Sequence, residues 1–280
     1  MKLIVRAADY AMTDSITDGC LKAIRDGILT DVGLMTNNAE HAQRAVREVR
    51  KYPQVSIGQD LNLVSGIPAS DPRLIPSLVD EKGQFLSSSF RKKQNQFDIP
   101  YSEIIQEMKA QVDRFIEWVG RKPVYITGHS LATPEILRGM EEICEMYGIF
   151  YDCFSQPDLP TGNRWYYKHQ KVDPNDRKPV FTLQDQANTD VVAHIINGEL
   201  NLDPEHQEFA LLATHCGYCD GELLNMSTFS VIRGREIEAL CSPQVREWIE
   251  KNSIELINFQ DYLDQRHSNE RIKSTPGIPY

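Results

Sequence analysis

The feature that most limits what this chain can fold into is an alternation that runs its whole length: a short apolar strand, a polar turn, an amphipathic helix. "KLIVRA" reads as a strand, and Thr13 or Asp14 is placed to cap a helix that carries Ile16, Leu21 and Ile24 and stops at Gly27. "DVGLM" is the next strand, followed by a helix from Ala39 to Val49, and "QVSIG" is the third strand. A loop through "SGIPASDPRLIPSLVDEKG" is too long to be a mere connector and has the length of loops that build binding sites. Ser102 is expected to cap a helix bearing Ile105, Met108, Val112, Phe115 and Val119 at spacings of three and four. "PVYITG" is a strand, Thr133-Pro134 and Ser242-Pro243 each open a helix, and "FALLATH" and "IELINF" are later strands. The stretch from Ser155 to about Pro179 reads as an irregular insertion. Strands alternating with helices imply a mostly parallel sheet. At 280 residues the pattern predicts an α/β fold in one domain over residues 1–280: a single (β/α) barrel of seven or eight strands, complete, incomplete or distorted.

Charge narrows the partners. A formal net charge of −10 opposes a nucleic acid or a membrane surface, since both select basic patches. The partner expected is small, neutral or metal-bound, with a homodimer as the oligomer to consider. No apolar run of roughly 18 residues and no basic-then-apolar leader is visible, so the expected location is cytoplasmic. The six cysteines, at 20, 144, 153, 216, 219 and 241, are scattered rather than set in a disulfide framework, which fits a reducing compartment.

In such a barrel the chemistry sits at the carboxyl ends of the strands. Asp9 follows "LIVRA", Gln59 and Asp60 follow "VSIG", His129 follows "VYITG" and His215 follows "LLAT". Two carboxylates and an imidazole converging on one rim make a ligand set for a divalent cation. Each residue alone has a plainer reading, as a turn or cap acid or a hydrogen-bonded loop histidine.

Longer stretches carry a resemblance. "LIVRAADYAMTDSITDGCLKAIRDGILTDVGLMTNN" is similar to the opening of the YdjC/ChbG family of carbohydrate deacetylases, with its Ala-Asp-Asp-Phe-Gly segment. "VSIGQDLNLVSGIP" resembles the family's Gly-x-His-x-Asn segment, "VYITGHSLATPEI" its third ligand segment, and "ATHCGYCDGELLNMSTFSVIRGREIEAL" its His-Pro-Gly-Tyr-x-Asp segment with a downstream Arg-x-x-Glu. The resemblance covers nearly the whole chain, in order.

It implies a metal-dependent hydrolase that removes an acetyl group from a small N-acetylated, optionally phosphorylated, oligosaccharide of the chitobiose type. On that reading Asp9, Asp60 and His129 are the metal ligands, and Asp9 and His215 are catalytic, with His215 as proton donor. Arg233 and Asn62 bind substrate, with Arg233 and Glu236 as a support pair. Arg233 and Glu236 read equally well as an exposed helical i,i+3 pair. Three of the chain's departures from the family pattern bear on the implied site. Ala8 stands where the family has its base, Ala11 where it has glycine, and Asp60 where it has a histidine ligand. An aspartate ligand favours Mg²⁺ or Mn²⁺ over Zn²⁺. The missing base leaves a second reading open, a catalytically weakened barrel that binds or senses such a sugar.

Other motifs are weaker. Cys216-Gly-Tyr-Cys219 has the spacing of a zinc or redox pair but no second pair, and is expected to be structural. "NMS" at Asn225 fits a glycosylation sequon by chance. Trp165, Tyr166 and Tyr167 form either a sugar-stacking platform or a loop anchor, and Trp118 is expected in the core.

Overall fold

The computed structural model describes residues 1–152, 159–162, 171–172 and 179–274. The elements follow in chain order as β1 (Lys2–Tyr10), α1 (Asp14–Asp26), β2 (Asp31–Leu34), α2 (Ala39–Val49), β3 (Ser56–Leu61), α3 (Ser88–Gln94), α4 (Tyr101–Val119), β4 (Tyr125–Gly128), α5 (Pro134–Tyr147) and β5 (Phe150–Tyr151). Next come β6 (Thr161–Gly162), β7 (Lys171–Val172), β8 (Pro179–Val180), α6 (Leu183–Asn188), α7 (Val191–Ile196), β9 (Phe209–Thr214), α8 (Gly221–Met226), α9 (Val231–Leu240), α10 (Pro243–Lys251), β10 (Glu255–Ile257) and α11 (Phe259–Ser274).

Eight strands form one parallel sheet in the order β5-β4-β3-β2-β1-β9-β6, with β10 also paired to the start of β1. Among the described residues the end strands β5 and β6 do not pair, so the sheet is an open, curled half-barrel. The period-two alternation of β1 explains how it stays wrapped in helices. Leu3, Val5 and Ala7 pack with Ile16 and Leu21 of α1 and Ala42 and Val46 of α2. Ile4 turns the other way, against Tyr125, Leu211 and Phe259.

Local signals in the sequence act as expected at most helix starts. The Thr13, Thr133 and Ser242 side chains accept from Ile16, Ile136 and Gln244 N–H, which satisfies donors that the first helical turn leaves unpaired. The fourth start differs. Pro100, not Ser102, is the N-cap of α4: the helix begins at Tyr101, its first bonds run from Glu103 and Ile104 N–H to the Pro100 carbonyl with no side-chain cap, and Ser102 lies inside the helix, exposed. On α4 the buried residues are Ile104, Met108, Val112 and Phe115, joined by Glu107 and Gln111. Ile105, Trp118 and Val119 are half-buried, and the Arg114 guanidinium lies 5.7 Å from the Trp118 ring centroid.

Glu107 and its neighbours explain the long loop. Its carboxylate accepts Ala69 N–H at 2.7 Å and Ser70 N–H at 2.8 Å. Glu103, one turn earlier, accepts Ser77 N–H at 2.8 Å, and Arg91 of α3 donates to the Ser77 carbonyl at 2.9 Å. The loop and α3 are thus pinned to α4 by charge-assisted bonds, stronger than neutral ones. Among the described residues no helix is long and apolar enough to cross a membrane. The residues Trp165, Tyr166, Tyr167 and Cys153, and most of the expected insertion, lie outside the described residues.

At the amino end of the sheet, Asp31 is fully buried and accepts from the Thr30 and Ser56 hydroxyls and from Phe259 N–H at 3.0 Å, which ties α11 to β2. Burial pushes its carboxyl up to about 7, against the pull of those donors. An acid whose folded pKa is raised contributes stability fully present below its unfolded value of about 4 and lost as pH rises through about 7. Asp31→Asn is therefore expected to flatten the fall in unfolding free energy between those pH values. Denaturant titrations of both chains across that range check it, and parallel profiles would refute it.

Candidate active site

The carboxyl end of β1 departs from regular strand geometry. The register of β1 against β2 shifts between Ala7 and Tyr10, and Asp9 sits at φ 63°, in the left-handed region that aspartate tolerates better than most residues. Regular alternation would send Asp9 outward with Val5 and Ala7, whereas here its carboxylate reaches the rim. Ala11 follows at φ 74°, which accounts for glycine at this position in the family pattern: a Cβ there is strained by about 1–2 kcal/mol.

Asp9 is the hub of the site. Its Oδ1 lies 2.7 Å from His129 Nδ1, and its Oδ2 accepts from Arg233 Nη2 at 2.7 Å. Its own N–H donates to Asp60 Oδ2 at 2.7 Å. Asp60 fits over β2 because residue 33 is glycine, where a Cβ would come within 2.9 Å of the carboxyl carbon. Arg233 also donates through Nε to the Phe229 carbonyl at 2.8 Å and through Nη1 to the His215 carbonyl at 3.2 Å. Glu236, one helical turn on, accepts His215 N–H at 2.7 Å. Arg233 and Glu236 are both buried, so they are a support pair for the rim rather than an exposed pair.

Electrostatics sorts these groups. Burial alone would raise the Asp9 carboxyl, but His129 and Arg233 outweigh it and hold it well below the usual range. Burial opposes charge on His129, and Asp9 more than compensates, raising it. Burial, with Asp9 close by, pushes Asp60 up to about 6. Desolvation in the cleft holds half-buried His215 down to about 4, which leaves it neutral at pH 7. Burial raises Glu236 to about 8.

Asp9, His129, His215 and Arg233 line one cavity of about 460 Å³, within the range of small-molecule sites. Asp60 sits behind Asp9, outside this lining. Asn62 is also outside it: its Oδ1 accepts Val64 and Ser65 N–H and its Nδ2 donates to the Ser65 carbonyl, shaping the turn. Another part of the lining was not legible in the sequence. Ser87, Ser88, Ser89 and Lys92 of α3 and its cap, with Leu224 to Phe229, complete it. Three consecutive serines ahead of Lys92 were the available signal. Cys216 and Cys219 are unbridged, Cys216 buried and Cys219 exposed.

The structure brings Asp9, Asp60 and His129 together through Asp9, whose carboxylate is bonded to His129 and whose backbone N–H donates to Asp60. Both Asp9 oxygens, the Nδ1 of His129 and one Asp60 oxygen each engage a hydrogen-bond partner, and of the carboxylate oxygens of Asp9 and Asp60 it is Asp60 Oδ1 that is buried without one. Among the described residues no three His, Cys, Asp or Glu side chains are placed to hold a metal ion. As arranged, these residues do not fit a divalent cation.

An open parallel half-barrel with an acid, two imidazoles and a guanidinium at its carboxyl rim defines an α/β protein of the class that does small-molecule chemistry at strand ends. Residues 2–251 match the family described as YdjC-like protein, and the chain belongs to that family. It is 30% identical over 267 residues to "Carbohydrate deacetylase 2" of Listeria innocua, covering 93% of this chain and 98% of that one. It is 26% identical to "Carbohydrate deacetylase" of Brevibacillus brevis, covering 93% and 99%. A crystal structure from Enterococcus faecalis, of a protein provisionally assigned to cellobiose-phosphate cleavage, shares the fold with a TM-score of 0.72 at 24% identity, covering 93% and 98%.

Proposed function

We propose that this chain is a hydrolase that removes the acetyl group from an N-acetylated sugar, with a short chitobiose-type oligosaccharide as substrate. The relatives named carbohydrate deacetylases support the reaction class. The observation that carries the reading is that a neutral imidazole, His215, and an imidazole paired with a carboxylate, His129–Asp9, line the same cavity.

Each group then has a role. His215, neutral at pH 7, takes a proton from water as the water oxygen attacks the acetyl carbon, and so supplies the base that Ala8 cannot. His129, oriented through Nδ1 by Asp9, presents Nε2–H to the carbonyl oxygen as it becomes an oxyanion. When the C–N bond breaks, the proton on His215 passes to the leaving nitrogen, giving acetate and the free amino sugar. Arg233 and Glu236 fix the backbone on both sides of the His215 peptide.

The test is acetate release from N,N′-diacetylchitobiose, read together with the appearance of free amine in equal amount. Stoichiometric release that saturates with sugar is the expected result. Saturable binding without any acetate would replace this reading by the weakened sugar-binding barrel, which the alanine at position 8 favours.

A further inference from the structure

We infer that Arg233 is the resident cation of this rim, and that its guanidinium stands in for a divalent ion as the charge that holds Asp9. Three of its nitrogens are bound in fixed directions, to the Phe229 carbonyl, the His215 carbonyl and Asp9 Oδ2, and the residue is 2% exposed. A planar guanidinium anchored in this way is a preorganised charge rather than a mobile one.

Its helix is placed for the purpose. Gln186 of α6 accepts Ser230 N–H at 3.0 Å and Ile232 N–H at 3.4 Å, which pins the first turn of α9 from which Arg233 projects. The carboxylate that would be a cation's first ligand is already bound on both oxygens, one by Arg233 and the other by His129. An ion at Asp9 would have to share a carboxylate already compensated by Arg233 and sit beside that buried guanidinium, where like charges are poorly screened. Asp60, at the position of the family's histidine ligand, is hydrogen-bonded to the Asp9 backbone instead. The inference rests on this geometry and is independent of which sugar fills the cavity.

Metal binding decides it. The full chain, stripped with EDTA and dialysed, is titrated with Mg²⁺, Mn²⁺ and Zn²⁺ by calorimetry, and its metal content after reloading is measured by mass spectrometry. No stoichiometric ion is expected in the native chain, and Arg233→Met is expected to gain one ion per chain by releasing Asp9 Oδ2. One ion per native chain that is lost in His129→Ala would overturn the inference. One ion per native chain that survives His129→Ala but is lost in Asp60→Asn would overturn it equally, since that ion sits at the same rim. The native measurement needs no variant, so it stands whether or not Arg233→Met folds. Ion stoichiometry is also read without turnover, so its outcome is distinct from that of the acetate assay.

Discussion

Asp9→Ala is expected to destabilise the chain by about 3–5 kcal/mol, the size of the loss when one partner of a buried ion pair is removed. The cause is the charge left behind. Arg233 would keep its two carbonyl partners and lose its only carboxylate among the described residues, at a position 2% exposed. Part of the loss comes from the backbone, because alanine at φ 63° lacks the local hydrogen bonding that makes aspartate tolerable there. A double variant separates the two. Asp9→Ala with Arg233→Met removes the orphaned charge and should recover much of the stability, in a cycle whose coupling exceeds about 1 kcal/mol. Denaturant midpoints of the four chains provide the measurement. A single-variant loss below about 1 kcal/mol would show that the pair is solvated and the hub assignment wrong.

His215→Ala should lower acetate release by about 10²- to 10⁴-fold, the usual span of general acid–base assistance, while sugar affinity changes little. The imidazole is the cavity-lining group that stays neutral at pH 7, and its ring stands edge-on to Phe229 with centroids 5.2 Å apart. The native acid limb should follow the same group, with kcat falling as pH drops through about 4. An unchanged rate in the variant, or an acid limb that survives the substitution, would remove His215 from the mechanism.

Much of the scaffold was legible in the sequence because its causes are local. The helix from Ala39 to Val49 has the bounds its periodicity predicts, and Thr133-Pro134 and Ser242-Pro243 start helices by cap chemistry alone. Strand ends also placed Asp9, His129 and His215 on one rim. The two-residue strand Phe150–Tyr151 was not legible, since so short a segment carries no period. Nor were the partnerships of Asp9. Arg233 lies 224 residues away, and their meeting depends on a shifted register and a left-handed residue that alternation cannot forecast. The start of α4 also differed, since the helix begins at Tyr101 without a side-chain cap, ahead of the serine that cap chemistry singles out.

The anchoring of α3 separates two walls of the cavity. Ser87, Ser88, Ser89 and Lys92 reach the cavity from a segment tied through Arg91 and Ser77 to Glu103, whereas Asp9, His129, His215 and Arg233 stand on β1, on the ends of β4 and β9, and on α9. The two walls of the cavity therefore stand on separate supports. Under the proposed reaction, substitutions in the serine-and-lysine wall are free to change which molecule the cavity admits while the acid, imidazole and guanidinium keep their geometry.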